Sequence, residues 1–515
     1  MKTPLKEGTE LKNFIISFFI IGLFCPTLGS PLWADTLRWG ADSESGAPYA
    51  FRDPKNPELL IGFEVDLVKA LAQEMGLEPQ HVQNKWEGLV EGLKRKDYDL
   101  VVNGLEITEE RKHEVGFSVP YYVTYQQLTV RKTSFDINSL DDLIGHKVGT
   151  LDGSLALKIL QEKSGIEALA YDQEIHAYND LTMGRIDAVL LDAPIALYYA
   201  GPNPKLKSVG KPIGRMEYGI AVRPKDSVRL NEIDLALKKL IVDGTLKKIF
   251  ENWALWNSVI AESWGQDSKI KTPPTAFENY LESTGQKRSW IDKAQQYISF
   301  LPLLGKGALL TLKVSIASMI LAILIGLGVA LMRLYGPKPF SILALSFVEV
   351  FRGTPLLIQL YLIFYGLPHF GIKLDPFFAA VVGLGLNYGA CEAENYRAGI
   401  LSVPRHQMDA ALALGMSRFQ ALRHIILPQA VRLVIPPVTN DFIALLKDSS
   451  LVSVITMVEL TTIYGQLAST YFDYLGIGIL AAAVYFVIGL PFVRLSRYFE
   501  SQMAGDRSRL AKVKS

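Results

Sequence analysis

The feature that most constrains this chain is a series of long apolar stretches after residue 300. Ala308 to Met332 contain one charged residue, Lys313, and Thr354 to Ile372, Pro376 to Cys391 and Tyr474 to Val493 contain none. A helix needs about 20 apolar residues to cross the ~30 Å hydrocarbon core of a bilayer. These lengths predict membrane-spanning helices. A further, weaker span is expected between Gln429 and Leu445, which gives about five in all.

The charge of the chain is divided in the same way. Residues 301–515 carry 18 basic and 11 acidic side chains, whereas residues 1–300 carry 35 basic and 41 acidic ones. The resulting net charges of +7 and −6 nearly cancel in the total of +1. A single globular enzyme is therefore disfavoured, and the abundant apolar residues exclude intrinsic disorder. Only two cysteines, Cys25 and Cys391, are present, which excludes a disulfide framework.

Basic residues favour the cytoplasmic side of a membrane, so their distribution predicts the orientation of the spans. The region 397–432 carries five arginines, and the tail from Arg494 carries six basic residues. By contrast, residues 451–476 carry no lysine or arginine. We therefore expect the first span to start outside and the tail to lie inside. The segment before residue 300 is then expected outside the cytoplasm.

The N-terminus has the three-part composition of a secretory signal peptide. Lysines precede an apolar run from Phe14 to Phe24, and small residues near Ser30 and Ala34 follow a break at Pro26. The apolar run would form a helix of about 16 Å, which is too short to cross a bilayer. We therefore expect a signal peptide at residues 1–34. An uncleaved anchor is the alternative.

The pattern of residues 35–257 predicts an α/β domain. Short β-like runs, such as Thr36–Gly40, Tyr98–Asn103 and Ala188–Leu191, alternate with helical patterns. Gly62 to Gly76 has apolar residues at helical spacing and ends on a glycine. Such alternation is typical of parallel sheets.

Several ordered motifs in this domain resemble a known family. They are GFEVDLVKAL, WEGLVEGLKRKDYDLVVNGLEITEERK, FSVPYYV, LIGHKVGTLDGS and LTMGRIDAVLLDAP. Their order resembles that of the periplasmic binding proteins for polar amino acids, which serve bacterial ABC importers. The resemblance implies a Venus flytrap fold, in which two α/β lobes close on a ligand through hinge strands. We expect the hinges near Leu128–Arg131 and Tyr218–Val222.

The resemblance also implies which residues hold a zwitterionic amino acid. Arg111 matches the carboxylate-binding arginine, whose guanidinium suits a bidentate pair. Asp192 matches the acid that accepts the α-ammonium, and Trp86 matches the residue beside the ligand side chain. The matching polar positions are Asn103, Gly104 and Ser154. Each residue also has a structural alternative, such as a surface arginine, a helix-capping aspartate or a packed tryptophan.

Three departures from the family pattern leave the ligand's identity open. Gly46 stands where an aromatic residue is usual, so Tyr49 or Phe51 is the candidate to supply a ring face. Glu106 replaces a small hydroxyl residue, and it would either attract a cationic side chain or turn outward. Leu155 replaces a second hydroxyl residue, so one donor to the ligand carboxylate is expected to be lost.

Residues 258–300 have the composition of a linker. Gly265, Pro273 and Pro274 interrupt a polar stretch of mixed charge. Trp290 to Phe300 is expected to form either an amphipathic helix on the membrane surface or part of an irregular connection. After the linker we expect a transmembrane domain at 301–500 and a basic cytoplasmic tail at 501–515.

The long inner loop carries a second resemblance. DAALALGMSRFQALRHIILP has the spacing of the EAA loop of ABC importer permeases, with an aspartate in place of the usual glutamate. The matching residues are Asp409, Ala410, Ala411, Gly415, Ile425, Leu427 and Pro428. In that family the loop forms short coupling helices that contact the ATPase, and we expect Gly415 and Pro428 to end the helical pieces. A generic pair of amphipathic helices is the alternative.

Together the two resemblances imply a subunit of an ATP-driven importer, with the binding protein and the permease fused. No GxxxxGK[ST] phosphate loop occurs in the sequence, so we expect a separate cytoplasmic ABC ATPase to hydrolyse ATP. We also expect a polar amino-acid ligand, a homodimer through the membrane domain in the bacterial inner membrane, and neither a cofactor nor a nucleic-acid partner. The main alternative is a ligand-gated channel or receptor with a flytrap sensor, and a second is an enzyme on the same fold.

Overall fold

The computed structural model describes residues 36–44, 46–284 and 290–512. The predicted signal peptide at 1–34 lies outside these residues. Within them, a bilobed α/β domain is followed by a helical domain.

Two five-stranded sheets form the centres of the two lobes. The strands are β1 (Thr36–Ala41), β2 (Phe51–Arg52), β3 (Leu60–Ile61), β4 (Glu78–Gln83), β5 (Leu100–Val101), β6 (Gly116–Phe117), β7 (Tyr122–Arg131), β8 (Lys147–Leu151), β9 (Glu167–Tyr171), β10 (Ala188–Asp192), β11 (Leu206–Tyr218) and β12 (Ala221–Val222). The first lobe has the order β4-β1-β5-β12-β6, the second has β11-β7-β10-β8-β9, and β2 pairs with β3.

Both sheets are mixed, so the prediction of parallel sheets was only partly right. The pairs of β1 with β4 and β5, and of β8 with β9 and β10, are parallel. In contrast, β12 runs antiparallel to β5 and β6, and β7 runs antiparallel to β10 and β11. The reason is that β7 and β12 enter their sheets directly from the other lobe, without a crossover helix.

Helices cover the sheets of the bilobed domain. They are α1 (Phe63–Met75), α2 (Leu89–Lys94), α3 (Glu109–Glu114), α4 (Leu155–Glu162), α5 (Glu174–Met183), α6 (Ala193–Tyr199), α7 (Ser227–Val242) and α8 (Thr245–Asn252), with 3-10 turns at Trp86–Gly88 and Asp141–Leu143. Helix α1 buries Phe63, Leu67 and Leu71 on one face, as its spacing predicts. It ends at Gly76, whose φ of 68° is a conformation that glycine adopts without strain.

The chain crosses between the lobes twice, at residues 118–121 and 219–220. The crossings lie side by side, because the Ser118 N–H donates to the Ile220 carbonyl at 2.9 Å and the Tyr121 N–H donates to the Tyr218 carbonyl at 3.0 Å. The predicted hinge at Leu128–Arg131 is wrong, since these residues lie inside β7 and pair with its neighbours. The mixture of aromatic, polar and aliphatic residues in β7 continues well past the crossing, so composition did not mark the boundary.

Part of the predicted linker is packed onto the bilobed domain. It contains α9 (Ser258–Ser263) and α10 (Thr275–Thr284). Tyr280 of α10 is buried, its ring packs edge-on against Phe51, and its hydroxyl donates to the Tyr198 carbonyl at 3.2 Å. Phe51 therefore lies in the core and does not supply a ring face to the cleft.

The helical domain consists mainly of long helices. They are α11 (Trp290–Tyr335), α12 (Lys338–Gly353), α13 (Leu356–Tyr361), α14 (Pro376–Ser402), α15 (Arg405–Ala413), α16 (Arg418–Ala421), α17 (Leu427–Asp448), α18 (Leu460–Tyr471) and α19 (Tyr474–Lys512), with π turns at Leu362–Gly366 and Leu422–Ile426 and 3-10 turns at Leu367–Phe370 and Ser449–Ile455. The segment Trp290–Phe300 is the first part of α11.

The number of spans stays a prediction. In the described part of the chain, α11 and α19 are long and apolar enough to cross a membrane. Lys338–Gly353 together with Leu356–Phe370 would be a third span, bent by 107°. Helices α14 and α17 occupy the positions where the remaining two spans are expected.

Close packing of α11 against α14 depends on glycines. A Cβ atom at Gly385 would lie 2.7 Å from Leu321, and one at Gly389 would lie 3.0 Å from Ile325. The two glycines are four residues apart and so share one face of α14. Small residues on one face let membrane helices approach closely, which increases their van der Waals contact.

Glu394 lies toward the C-terminal end of α14. Its carboxylate pairs with Arg397 at 2.7 Å and also with Arg333 of α11. These two ion pairs join α11 to α14, so Glu394 has a structural role in this conformation.

The bilobed domain lies against one end of the helical domain. Contacts from the first lobe are Glu58 with Lys306 at 2.6 Å, Asp97 with Lys373 at 2.9 Å, and Arg52 with Gln466 at 3.0 Å. A cavity of about 1020 Å³ remains between this lobe and the helical domain. Helix α14 begins just after Lys373, and its 27 residues span about 40 Å. The loop that holds α15 and α16 therefore lies at the opposite end.

Candidate ligand-binding cleft

A small closed cavity lies between the two lobes. It is lined by Tyr49, Trp86, Asn103, Gly104, Glu106, Leu151, Ser154, Glu174, Leu191, Asp192 and Ile195. Six of the seven site residues predicted from the sequence are among them, and Arg111 lies beside the cavity. The volume of about 20 Å³ has room for roughly one water molecule. The cleft is therefore closed on its own side chains.

Arg111 is bonded to groups on both lobes. Its Nη1 donates to a carboxylate oxygen of Glu106 and to the Glu106 carbonyl at 3.1 Å. Its Nη2 donates to the Gly153 carbonyl of the second lobe at 3.1 Å. The guanidinium is thus a cleft group and not a surface one.

Glu106 faces the cleft, which decides between the two orientations that the sequence left open. One carboxylate oxygen pairs with Arg111, and the other accepts a hydrogen bond from the Leu155 N–H, at the first turn of α4, at 3.3 Å. A guanidinium and an N–H at a helix N-terminus are donors suited to a carboxylate. Glu106 therefore occupies the position predicted for the carboxylate of a ligand.

Asp192 is buried at the end of β10, within a ring of donors. Its Oδ1 accepts from Gln126 Nε2 at 2.8 Å, and its Oδ2 accepts from the Tyr218 hydroxyl and from the Tyr49 hydroxyl at 3.4 Å. Burial, with Glu106 as a second cause, raises the pKa of Asp192 to about 7. Although Asp192 precedes α6, its side chain makes no capping bond to that helix. Its contacts therefore do not support the alternative of a helix cap.

Trp86 links the lobes from the other side of the cavity. Its indole Nε1 donates to the Asp152 carbonyl at 3.3 Å, and its ring lies 5.4 Å from the Arg111 guanidinium.

The remaining predicted residues lie in the walls of the cavity. The Ser154 hydroxyl caps α4 by accepting from the Leu157 N–H at 3.2 Å, Asn103 Oδ1 accepts from the Asp42 N–H at 2.5 Å, and the Gly104 N–H donates to Glu64 at 2.6 Å.

Glu174 is a cleft residue that the sequence did not reveal. It is the first residue of α5 and only 3% exposed. Burial, with the charges of Asp42 and Asp192 adding to it, raises the pKa of Glu174 to about 8. Acids are common at helix starts, so nothing in the sequence distinguished this one. With Glu106 and Asp192 it makes three carboxylates among the lining side chains, and none of the residues that line the cavity is a lysine or arginine.

The predicted coupling residues lie in the loop at the far end of the helical domain. Gly415 follows α15 with a φ of 83°, and the Met416 N–H closes the turn onto the Ala411 carbonyl at 3.1 Å. Asp409, Ala410 and Gly415 are exposed, whereas Ala411 is buried and Ile425 and Leu427 are half-buried. Pro428 does not end a helical piece as expected. It lies in the first turn of α17, which continues without a break from the π turn Leu422–Ile426.

The two halves of the chain match two protein families. Residues 37–255 match the bacterial extracellular solute-binding proteins, family 3, and residues 322–505 match the binding-protein-dependent transport system inner membrane component. The chain belongs to both families. It is an inner-membrane transport protein in which a solute-binding domain is fused to a membrane component. The predicted fold class, a flytrap-type α/β domain followed by a helical membrane domain, is confirmed.

Relatives of each half exist as separate proteins. The L-cystine transport system permease protein TcyB of Bacillus subtilis (strain 168) is 42% identical over 198 residues, which are 38% of this chain and 84% of that protein. The glutamine transport system permease protein GlnP of Escherichia coli (strain K12) is 38% identical over 39% of this chain and 94% of its own length. The L-cystine-binding protein TcyJ of Escherichia coli (strain K12) is 34% identical over 40% of this chain and 78% of its own length.

Proposed function

We propose that this chain is the ligand-capturing and membrane-spanning subunit of an ATP-driven importer of polar amino acids. One observation supports this most directly. A solute-binding domain with a cleft lies against one end of a transport-system membrane domain, and the exposed loop from Asp409 to Pro428 lies about 40 Å away at the other end. The bilobed domain would capture the ligand on the periplasmic side, as the distribution of basic residues predicts. A cytoplasmic ATPase would act on the opposite end.

The chemistry of the cleft supports an amino acid as the ligand, and relatives of the two halves are named for L-cystine and glutamine. We assign the α-carboxylate to Arg111 and the Leu155 N–H, where it would displace Glu106. We assign the α-ammonium to Asp192, with Trp86 and Tyr49 beside the ligand. Asn103, Gly104 and Ser154 would shape the walls. Because the closed cavity has room for about one water molecule, the lobes must separate before the ligand enters.

The three carboxylates that line the cleft predict the order of ligand affinities. Glu106 and Asp192 favour a ligand with an additional positive charge and repel one with an additional negative charge, and Glu174, whose pKa is raised to about 8, adds to this when it is ionised. In a thermal-shift screen of the purified chain against single amino acids, we expect L-arginine to stabilise the most, L-glutamine less, and L-glutamate least. D-Arginine has the opposite chirality at its α-carbon, so stabilisation equal to that by L-arginine would contradict the assigned site. An absence of stabilisation by every amino acid would contradict the proposed function.

The loop at the far end has the properties of a surface for an ATPase. Besides the exposed Asp409, Ala410 and Gly415, it presents Leu414, which is 82% exposed, and Phe419. Exposed apolar side chains beside small residues are suited to insertion into a partner. We propose that Asp409, Ala410, Ala411, Gly415, Ile425, Leu427 and Pro428 form or support this surface. We further propose that two copies of the chain pair through their membrane domains.

Replacing Gly415 with aspartate tests the proposed ATPase surface. A Cβ atom at this position would meet no other atom within 4 Å, and aspartate tolerates a positive φ better than most residues. The loop should therefore keep its shape while gaining a charge at the interface. We expect ligand uptake into proteoliposomes with the ATPase to fall by at least about tenfold, equivalent to ~1.4 kcal/mol of lost binding. Ligand affinity should not change.

A matched variant controls for the backbone effect of this substitution. Gly244 also has a positive φ, of 82°, and a Cβ atom there would likewise meet nothing within 4 Å, but it lies in the bilobed domain. Gly244→Asp should transport like the wild type. Normal uptake by Gly415→Asp would contradict the coupling role of the loop.

A further inference from the structure

Gln173 lies where the two lobes and the helical domain meet. It precedes α5 of the second lobe, its backbone is extended with φ −142° and ψ 141°, and its side chain is half-buried. Nothing in the sequence distinguishes it, because a glutamine before a helix is ordinary for a surface loop.

The side-chain amide of Gln173 forms hydrogen bonds to the first lobe and to the helical domain at the same time. Its Nε2 donates to Glu44 Oε2 of the first lobe at 3.1 Å. Its Oε1 accepts from the Tyr474 hydroxyl at 2.8 Å and from the Ser469 hydroxyl at 3.2 Å, both in the helical domain. Glu44 and the two hydroxyls thus hold the amide from opposite sides, with its Nε2 toward the first lobe and its Oε1 toward the helical domain.

Further contacts near Gln173 hold the two lobes against the helical domain. The ring of His176, on the next turn of α5, lies 5.1 Å from the ring of Tyr474. Glu44 in turn lies against α18, since a Cβ atom at Gly465 would be 3.1 Å from its Oε2. Tyr474 is thus contacted by α5 of the second lobe, and Glu44 is contacted by α18 of the helical domain.

Several other contacts of the helical domain do not depend on cleft closure in the same way. Those of Glu58, Asp97 and Arg52 come from the first lobe alone, so they persist whether the lobes are open or closed. The hydrogen bond between Gln173 and Glu44 spans the cleft, because the two residues belong to different lobes. It is lost when the lobes separate.

We propose that Gln173 is a positioning residue that couples closure of the cleft to docking of the second lobe on the membrane domain. When the lobes close, Glu44 accepts from the amide Nε2 and holds the side chain in place, and the amide oxygen then accepts from Tyr474 and Ser469. Coupling between two equilibria is reciprocal. The hydroxyls of the membrane domain therefore favour the closed cleft, although they lie outside it. This coupling is independent of which amino acid is bound.

The test measures cleft closure in the complete ligand-free chain in nanodiscs. Spin labels at Lys69→Cys on the first lobe and Lys205→Cys on the second, both exposed positions, report the distance between the lobes by pulsed electron resonance. Cys25 and Cys391 are replaced by serine in this background. Tyr474→Phe removes one hydroxyl from the membrane domain and nothing from the cleft. We expect it to lower the ratio of closed to open chains by about threefold to tenfold, which corresponds to the loss of one hydrogen bond.

Two further variants separate coupling from a local structural effect. Gln173→Ala should lower the ratio at least as much, and Tyr474→Phe should then add nothing in the Gln173→Ala background, because both remove the same connection. Tyr464→Phe removes a neighbouring hydroxyl whose described bond stays within the helical domain, and it should leave the ratio unchanged. An unchanged ratio in Tyr474→Phe would overturn the proposal. So would independent, multiplicative effects of Gln173→Ala and Tyr474→Phe.

Discussion

Arg111→Ala is expected to weaken amino-acid binding by at least about 100-fold. A charge-assisted hydrogen bond contributes about 1.5–3 kcal/mol, and the guanidinium would make two of them to the ligand carboxylate. The substitution also removes the bond from Arg111 to Glu106 and the bond to the Gly153 carbonyl, of which the second joins the two lobes. Isothermal titration calorimetry on the purified chain, with the amino acid that gives the largest thermal shift, measures the effect.

The adjacent lysine provides a matched control for this substitution. Lys112 is exposed and pairs only with the exposed Glu109 in the described contacts, so Lys112→Ala removes the same charge without changing the cleft. Its affinity should stay within about twofold of the wild type, because an exposed pair contributes little. Arg111→Lys keeps the charge but loses the planar fork, and we expect an intermediate affinity. An unchanged affinity in Arg111→Ala would reject the assignment of the carboxylate site.

Asp192→Asn is expected to weaken amino-acid binding to a comparable extent, because it removes the negative charge assigned to the α-ammonium of the ligand. Asparagine has nearly the same shape as aspartate, so the new side chain still fits beside Gln126, Tyr218 and Tyr49, but the negative charge is lost. Removing one partner of a buried charge pair costs about 2–5 kcal/mol, which predicts a loss of affinity of roughly 30-fold or more. Glu162→Gln, an exposed charge removal on the same lobe, is the control. Wild-type affinity in Asp192→Asn would contradict the ammonium assignment.

The pH dependence of binding gives this prediction a second measurement. The pKa of Asp192 is raised to about 7 in the ligand-free protein, so its carboxyl takes up a proton as the pH falls through that value. A ligand ammonium requires the ionised form. The affinity should therefore decrease below pH 7, approaching tenfold per pH unit, and should level off above it. Asp192→Asn should lack this dependence.

Much of the candidate site was predictable because of how strands are arranged. Asn103 follows β5, Ser154 follows β8 and Asp192 ends β10, so all three lie at the carboxyl ends of strands. The carboxyl ends of strands in an α/β sheet lie at one edge, where ligands commonly bind, and here the edge with β5 faces the edge with β8 and β10 across the cleft. The motifs therefore brought most of the lining residues together without any knowledge of the packing.

The orientation of the charged groups was not predictable in this way. Whether Glu106 would face the cleft depended on its distance from Arg111 and from the first turn of α4, which lies on the other lobe. Glu174 lines the cavity because α5 begins next to Asp192 in space, although 18 residues separate them in the chain. The sequence shows which charged residues are present, but which of them pair and become buried depends on how the two lobes pack.

The sequence by itself determined the division of this protein into a charged α/β part and an apolar helical part, because hydrophobic periodicity and charge are local properties. It also determined the Ala-Gly loop and the residue types of the cleft, which short motifs carry. Only the tertiary structure decided that Glu106 faces the cleft and pairs with Arg111, and that the chain crosses between lobes before β7. It alone joined Gln173 to Tyr474, 301 residues away. Such contacts arise from the packing of whole domains, and no local pattern encodes them.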